Sequence, residues 1–133
     1  MSLGGFVKLV IEAKNLVLKK DLKEYIQRRV NFAFSHHNQN IENAKVSVLR
    51  VRNYSDCQKG NTQDAQCRVE ILMDDNVEIV VSDIQSDIRH AIDRAIFRAR
   101  FTLQQRIKRR YAQQNKAHYQ RILAKAAGRK SPT

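Results

Sequence analysis

Hydrophobic residues in the first half of the chain change their spacing twice. Residues 6–13 are rich in apolar residues, with Val7, Leu9, Ile11 and Ala13 on one face and a mixed other face, which predicts a β-strand. In residues 18–34 apolar residues recur every three or four positions, and most lysines and arginines lie off that stripe, which predicts an amphipathic helix. Residues 45–52 alternate again and predict a second strand. Its pattern slips at Leu49, which leaves open a bulge or burial on both faces.

The second half predicts a hairpin and then a long helix. Residues 53–65 have no periodicity and many turn-forming residues, so we expect a mobile loop. Residues 67–73 and 77–81 alternate well around the hairpin turn Asp-Asp-Asn. The last helix is expected to begin between Ser82 and Ser86, either of which can cap it. Its predicted apolar stripe consists of Ile84, Ile88, Ala91, Ile92, Ala95, Ala99, Leu103 and Ile107.

The predicted order of elements is β-α-β-β-β-α, an α+β fold with two helices packed on one face of a four-stranded sheet. A chain of 133 residues fits one domain. We expect this domain to span residues 6–112, after a remnant of expression at residues 1–5. Residues 113–133 are expected to form a basic extension that is partly helical or disordered.

No long apolar run or secretory signal is visible in the sequence. We therefore expect a cytoplasmic protein without a membrane partner. The net charge of +12 is concentrated in the second half: residues 1–83 hold 12 Lys/Arg and 11 Asp/Glu, whereas residues 84–133 hold 13 and 2. A field of one sign attracts phosphate chains, but also anionic lipid or an acidic protein surface. Charge alone leaves these partners open.

The side of the last helix opposite its apolar stripe combines cations with aromatic rings. The rings are Phe97 and Phe101. Guanidinium groups pair with phosphates, and an exposed ring can stack on an unpaired base. For the two phenylalanines we favour packing against the first helix; for the arginines we favour RNA binding, because a purely solvated face would mix both signs. The cations on this side are Arg89, Arg94, Arg100 and Lys108.

The sequence offers little support for catalysis or metal binding. In a helix His36 and His37 would point about 100° apart, with no other ligand at metal-binding spacing, so we interpret them as a helix end. Cys57 and Cys67 form no zinc knuckle, and we expect two reduced thiols. No catalytic motif or phosphate-binding glycine loop is present. We expect no enzyme activity, cofactor, metal or small-molecule substrate.

Two short motifs resemble a known family. The sequence LKEYI, at residues 22–26, opens the first helix, and DIRHAID, at residues 87–93, is similar to the Asp-Met-Tyr-x-Ala-Ile-Asp/Asn of the ribosome hibernation-promoting factors, ribosome-associated inhibitors and sigma-54 modulation proteins. Arg98 falls where that family has the lysine of Lys-Leu-x-Arg-Gln-Leu, and Leu103 matches its last leucine. The resemblance covers residues 7–110 and points to the short type, without a second, dimerising domain.

The resemblance implies a bacterial protein that binds the small ribosomal subunit in the channel for messenger and transfer RNA and inhibits translation during stress, as in ribosome hibernation. We expect it to be monomeric off the ribosome. Arg29 and Arg98 match basic positions of the family, and the other rRNA contacts are predicted from charge and helical position. The predicted RNA-binding residues are Lys23, Arg28, Arg29, Arg89, Arg94, Arg98, Arg100, Arg106, Lys108, Arg109 and Arg110.

Three positions depart from the family pattern. A family tyrosine is replaced by Arg89, a later arginine by Phe101, and a lysine common in the first helix by Phe32. These departures leave the individual rRNA contacts open. Two alternative functions also remain open: a general module for structured RNA, and a protein-interaction regulator of transcription of the sigma-54 modulation type.

Overall fold

The chain folds in the predicted order, with one short helix added between α1 and β2. The computed structural model describes residues 8–52 and 63–130. The predicted remnant at residues 1–5, the start of the first strand, Cys57 and most of the predicted loop lie outside these residues. The elements are β1 (Leu9–Lys14), α1 (Lys20–Phe34), a 3-10 helix (Ser35–Asn40), β2 (Ile41–Arg52), β3 (Gln63–Met73), β4 (Glu78–Gln85) and α2 (Ile88–Lys130).

The four strands form one sheet in the order β1-β2-β3-β4. β1 runs parallel to β2, because α1 carries the chain back to the end of the sheet at which β1 began. The other neighbouring strands are antiparallel. The β3–β4 hairpin closes at the predicted Asp-Asp-Asn turn, where the Met73 N–H donates to the Val77 carbonyl (2.8 Å) and Asn76 adopts a φ of 65°. The irregularity in β2 lies between Ile41 and Asn43, whereas Leu49 keeps its register opposite Gln66.

One face of the sheet is buried beneath α1 and the start of α2. Alternate residues on the central strands, such as Val46 on β2 and Val69 on β3, are fully buried. The helices bury matching stripes, represented by Ile26 on α1 and Ile92 on α2. The opposite face carries charged and polar side chains, including a Lys45–Glu12 ion pair of 3.2 Å. The predicted α+β architecture, with both helices on one face, is confirmed.

The predicted start of the last helix needs a correction. Ser82 and Ile84 belong to β4, and the Ile84 side chain is 52% exposed, so its assignment to the helical stripe was wrong. β4 extends this far because Gln66 on β3 pairs with Ile84 and continues the hydrogen-bonded ladder. α2 begins at Ile88, and its first helical bond runs from the Ala91 N–H to the Asp87 carbonyl.

The chain divides into two compact units, Met1–Phe101 and Thr102–Thr133. The first contains the sheet, α1 and the start of α2. In the second, Leu103 and Ile107 are buried, and side chains from Tyr111 to Lys125 are exposed. The boundary predicted after residue 112 stays a prediction. In the part of the chain that the structure describes, no helix is both long and apolar enough to cross a membrane.

Candidate nucleic-acid interface

The solvent-facing sides of α1 and of α2 up to Phe101 form one surface, here called the outer helix surface. A set of polar contacts, the interhelix cluster, joins the two helices. The Tyr25 hydroxyl donates a hydrogen bond of 2.6 Å to the Asp93 carboxylate, and Arg29 Nε lies 3.0 Å from the same carboxylate. The Arg89 guanidinium lies 4.6 Å from the centre of the Tyr25 ring and 3.9 Å from Asp21. Successive residues of α1 therefore meet successive residues of α2, and the helices run side by side in the same direction.

Tyr25 is the uncharged member of the interhelix cluster. Burial raises its pKa above the ordinary value, and the hydrogen bond to Asp93 and the charge of that carboxylate raise it further. The nearby charges of Arg29 and Arg89 oppose this rise without cancelling it. The phenol therefore stays protonated at neutral pH and acts as a hydrogen-bond donor that fixes the position of Asp93 between the helices.

A second set of contacts, the Asp83 cluster, holds two arginines of α2 against the end of β4. The Asp83 side chain is only 9% exposed and accepts a hydrogen bond of 2.7 Å from Gln85 Nε2. It also faces Arg94 Nε at 3.5 Å and Arg98 Nη1 at 3.4 Å. Arg98 Nη1 donates a further bond of 2.7 Å to the Ser82 carbonyl.

The Asp83 carboxyl is held in its ionised form. Burial opposes ionisation, but the hydrogen bond from Gln85 and the charges of Arg94 and Arg98 outweigh it, so the pKa of Asp83 lies below its ordinary value. At neutral pH the Asp83 cluster therefore combines one negative and two positive charges. Both arginines keep a preferred direction on the protein surface.

Four of the predicted RNA-binding arginines of the first unit are thus in ion pairs. Their acidic partners lie on α1, α2 and β4, in each case on a different element from the arginine. An ion pair with such exposed arginines contributes little stability and is open to competition by other anions. The pairs therefore orient the guanidinium groups without removing them from the surface. The four arginines are Arg29, Arg89, Arg94 and Arg98.

The other predicted cations of the first unit are Lys23, Arg28 and Arg100, and none of the described acidic residues forms an ion pair with them. Arg28 is exposed and lies one turn before Phe32 on α1. Lys23 is exposed about 140° around α1 from Arg28 and so faces a different direction. Arg100 is half-buried. Burial lowers the pKa of His37, and the charges of His36 and Arg100 lower it further.

The outer helix surface also exposes three phenylalanines: Phe32 is 74% exposed, Phe97 68% and Phe101 56%. The expectation that Phe97 or Phe101 packs against the first helix was therefore wrong. The buried side of α2 is formed instead by smaller or aliphatic residues, among them Ala95, Ile96 and Ala99. The rings face solvent beside the arginines.

The second unit has its own basic surface. Arg106, Lys108 and Arg109 are exposed there, and Arg110 is half-buried. Residues 102–133 contain no Asp or Glu, so this charge is unbalanced within the unit. The predicted RNA-binding residues thus fall into two sets, one in each unit.

The described residues include no cluster of metal-binding side chains. No three His, Cys, Asp or Glu side chains among them could hold a metal ion together. Cys67 is a buried free thiol on β3, and burial, with the negative charge of Asp83, raises its pKa to about 12. His36 and His37 lie in the 3-10 helix that follows α1, in agreement with their interpretation as a helix end.

Sequence reasoning missed the acidic side of this surface. Asp83 lies between Ser82 and Ser86, where the last helix was expected to begin, whereas in the structure it belongs to β4 and is the partner of two arginines. Tyr25 and Asp21 carried no signal of their own, since the contacts that give them a role join residues far apart in the chain. The family motifs were the available hint, because LKEYI contains Tyr25 and DIRHAID contains both Arg89 and Asp93.

No family model matches the sequence, and neither does any curated protein. Solved structures do match. The N-terminal domain of Protein Y from Thermus thermophilus superposes with a TM-score of 0.54 at 13% identity, covering 75% of this chain and 97% of that one. A ribosomal subunit interface protein from Coxiella burnetii gives a TM-score of 0.60 at 9% identity, covering 77% and 99%.

At these identities the likeness concerns the fold. The resemblance predicted from the sequence is confirmed at that level. Nearly the whole of each neighbour is matched, so about a quarter of the present chain has no counterpart in either.

Proposed function

We propose that this protein binds the ribosome through the outer helix surface and acts there as a translation inhibitor of the hibernation type, without enzyme activity. One observation carries the proposal: on a fold shared with a ribosomal subunit interface protein, the outer helix surface presents arginines oriented by ion pairs beside Arg28, which pairs with no described acid. The finer expectation is that the small subunit is bound at its rRNA, in the channel of messenger and transfer RNA. A monomeric bacterial protein in the cytoplasm fits this role.

The expected contacts are phosphate contacts. Arg28 offers its whole guanidinium group, because no described acid pairs with it. In Arg29 and Arg94 the ion pairs engage Nε, and the Nη groups at the tip of the side chain are the donors that would meet a phosphate. The second unit, with Arg106, Lys108 and Arg109, would add charge to the same kind of partner.

Sedimentation of the protein with separated ribosomal subunits through sucrose, at 50 and 200 mM salt, tests the proposal. If about five phosphates are neutralised, the affinity should fall on the order of a hundredfold over this range. Binding to the small subunit with this salt dependence, and displacement by initiator transfer RNA, are the expected results. Equal binding to a free RNA duplex would instead favour the general RNA module, and salt-insensitive binding to a protein would favour the transcription regulator.

A further inference from the structure

The outer helix surface exposes three phenylalanines, whereas Val30 and Phe34 on α1 and Ile92 on the same part of α2 are buried. Exposing an aromatic ring forgoes the free energy of burying it, so a row of such rings marks a surface that something else covers. Here the rings stand among arginines and not among further apolar groups. The unexplained feature is therefore an aromatic surface with a cationic border.

The contacts between the helices place these rings near one another. Asp21 and Tyr25 lie beside Arg89, and Tyr25 and Arg29 lie beside Asp93, so α1 and α2 advance together turn by turn. One more turn along both helices brings Phe32 level with Phe97. Phe32 follows Tyr25 by seven positions and shares its side of α1, and Phe97 and Phe101 follow Asp93 by one and two turns.

We propose that Phe32, Phe97 and Phe101 form a stacking surface for unpaired bases of the bound RNA; this rests on the proposed ribosome binding and names the kind of RNA that the site takes. Flat exposed rings beside guanidinium groups can hold a base by its face while an arginine holds the adjacent phosphate. Arg28 lies one turn before Phe32, and Arg94 lies three positions before Phe97, which is within reach on the same helix.

The surroundings favour RNA with unpaired bases over the other partners. A continuous duplex hides its base faces inside the stack and presents phosphates and sugars, so it would leave the rings uncovered. A protein partner that buries three phenylalanines would need an apolar surface of its own, yet the border here is cationic. Three acids on these elements, Asp21, Asp83 and Asp93, each already face an arginine. The field at the rings is thus suited to a polyanion.

Paired substitutions at each ring test the proposal. Phe→Leu keeps an apolar side chain but removes the flat face, whereas Phe→Tyr keeps the face and serves as the matched control. Loss of a base–aromatic stack costs on the order of five- to a hundredfold in affinity. We expect Phe97→Leu to weaken binding within that range and Phe97→Tyr to bind like the parent. Because all three rings are exposed, thermal unfolding should be unchanged in every variant, and this is checked first.

Affinities are measured at one salt concentration for three probes: small ribosomal subunits, an RNA hairpin with an unpaired loop, and a duplex of the same stem sequence. The proposal expects the Leu variants to lose affinity for subunits and hairpin but not for the duplex. Leu variants that bind the hairpin as the parent does would overturn it, as would equal losses with Leu and Tyr. If the parent protein binds neither hairpin nor subunits, the stacking surface is also refuted.

The same probes separate this inference from the proposed function. Parent protein that binds the hairpin with dependence on the rings, yet ignores ribosomal subunits, would refute ribosome binding and leave the stacking surface standing. If all Leu variants bind subunits with the affinity of the parent, the stacking surface is refuted and ribosome binding stands. A complex with a protein that is equally strong at 50 and 200 mM salt, and that the Phe→Leu variants still form, would show that the rings bind an apolar protein partner and not RNA.

Discussion

Neutralising Asp83 is the substitution whose effect the structure defines most closely. Asp83→Asn keeps the shape of the side chain and removes its charge. The pairs with Arg94 at 3.5 Å and Arg98 at 3.4 Å lose their attraction, and the two arginines are left facing each other across a neutral amide. Since both arginines are about half exposed, each pair contributes about 0.2–1 kcal/mol.

The hydrogen bond from Gln85 also weakens when its acceptor loses the charge, by about 0.5–1 kcal/mol. The bond from Arg98 to the Ser82 carbonyl survives, which limits the loss. We expect the free energy of unfolding to fall by about 1–2 kcal/mol. For a unit of this size the melting temperature should fall by roughly 5–15 °C.

The pH dependence identifies the cause. Because the pKa of Asp83 is lower in the folded than in the unfolded protein, its ionised form stabilises the fold at every pH above the unfolded pKa of about 4. This contribution is lost as the pH falls from there through the folded pKa. Urea unfolding of parent and variant at pH 7, 5, 4 and 3 should therefore give a constant difference down to about pH 5 and a shrinking one below about pH 4.

Glu42→Gln is the matched control, since Glu42 is exposed and pairs with no described residue. It should change the free energy of unfolding by less than about 0.5 kcal/mol. The reasoning is refuted if Asp83→Asn unfolds like the parent at pH 7, or if its deficit persists undiminished at pH 3.

Three further predictions concern single side chains. Arg28→Glu should weaken binding to small subunits and reduce the slope of log affinity against log salt by about one or more; Lys14→Glu, on the exposed end of β1, should leave the slope nearly unchanged. Tyr25→Phe removes the interhelix hydrogen bond and should cost about 0.5–1.5 kcal/mol in urea unfolding; no loss would mean that the bond is not formed in solution. With a pKa of about 12, Cys67 should not react with a thiol reagent at pH 8 in a Cys57→Ser variant until urea unfolds it, and rapid reaction of the folded protein would contradict its burial.

Much of the fold could be predicted because it depends on local periodicity. The helical spacing of apolar residues in 18–34 buries Ile26, Val30 and Ala33, and the alternation in β2 buries Val46 and Val48. The limits of β4 could not be predicted, because Ile84 has the spacing of a helical residue and only the ladder with β3 makes it part of a strand. The bulge near Ile41 likewise depends on pairing with a strand much later in the chain.

The candidate site was predicted in its cations and missed in its acids. Arginines on the outer side of α2 follow from helical spacing, but their partners Asp21 and Asp83 come from elements that only the folded chain brings close. The exposure of Phe97 was mispredicted for a related reason. Sequence alone does not tell whether a ring beyond the core stripe finds a neighbouring helix, and here Ala95 and Ile96 complete the packing without it.

Tethered hydroxyl-radical probing of the ribosome complex tests the central proposal most directly. An iron chelate is attached to a cysteine introduced at Arg28 on the outer helix surface or, as a control, at Lys14 on the open face of the sheet, in a Cys57→Ser background where Cys67 is buried. Ribosome binding through the helices predicts strong cleavage of small-subunit rRNA from position 28, clustered along the messenger and transfer RNA channel, and little from position 14. Cleavage from position 14 but not from position 28, or from neither in a complex that still sediments, would contradict it.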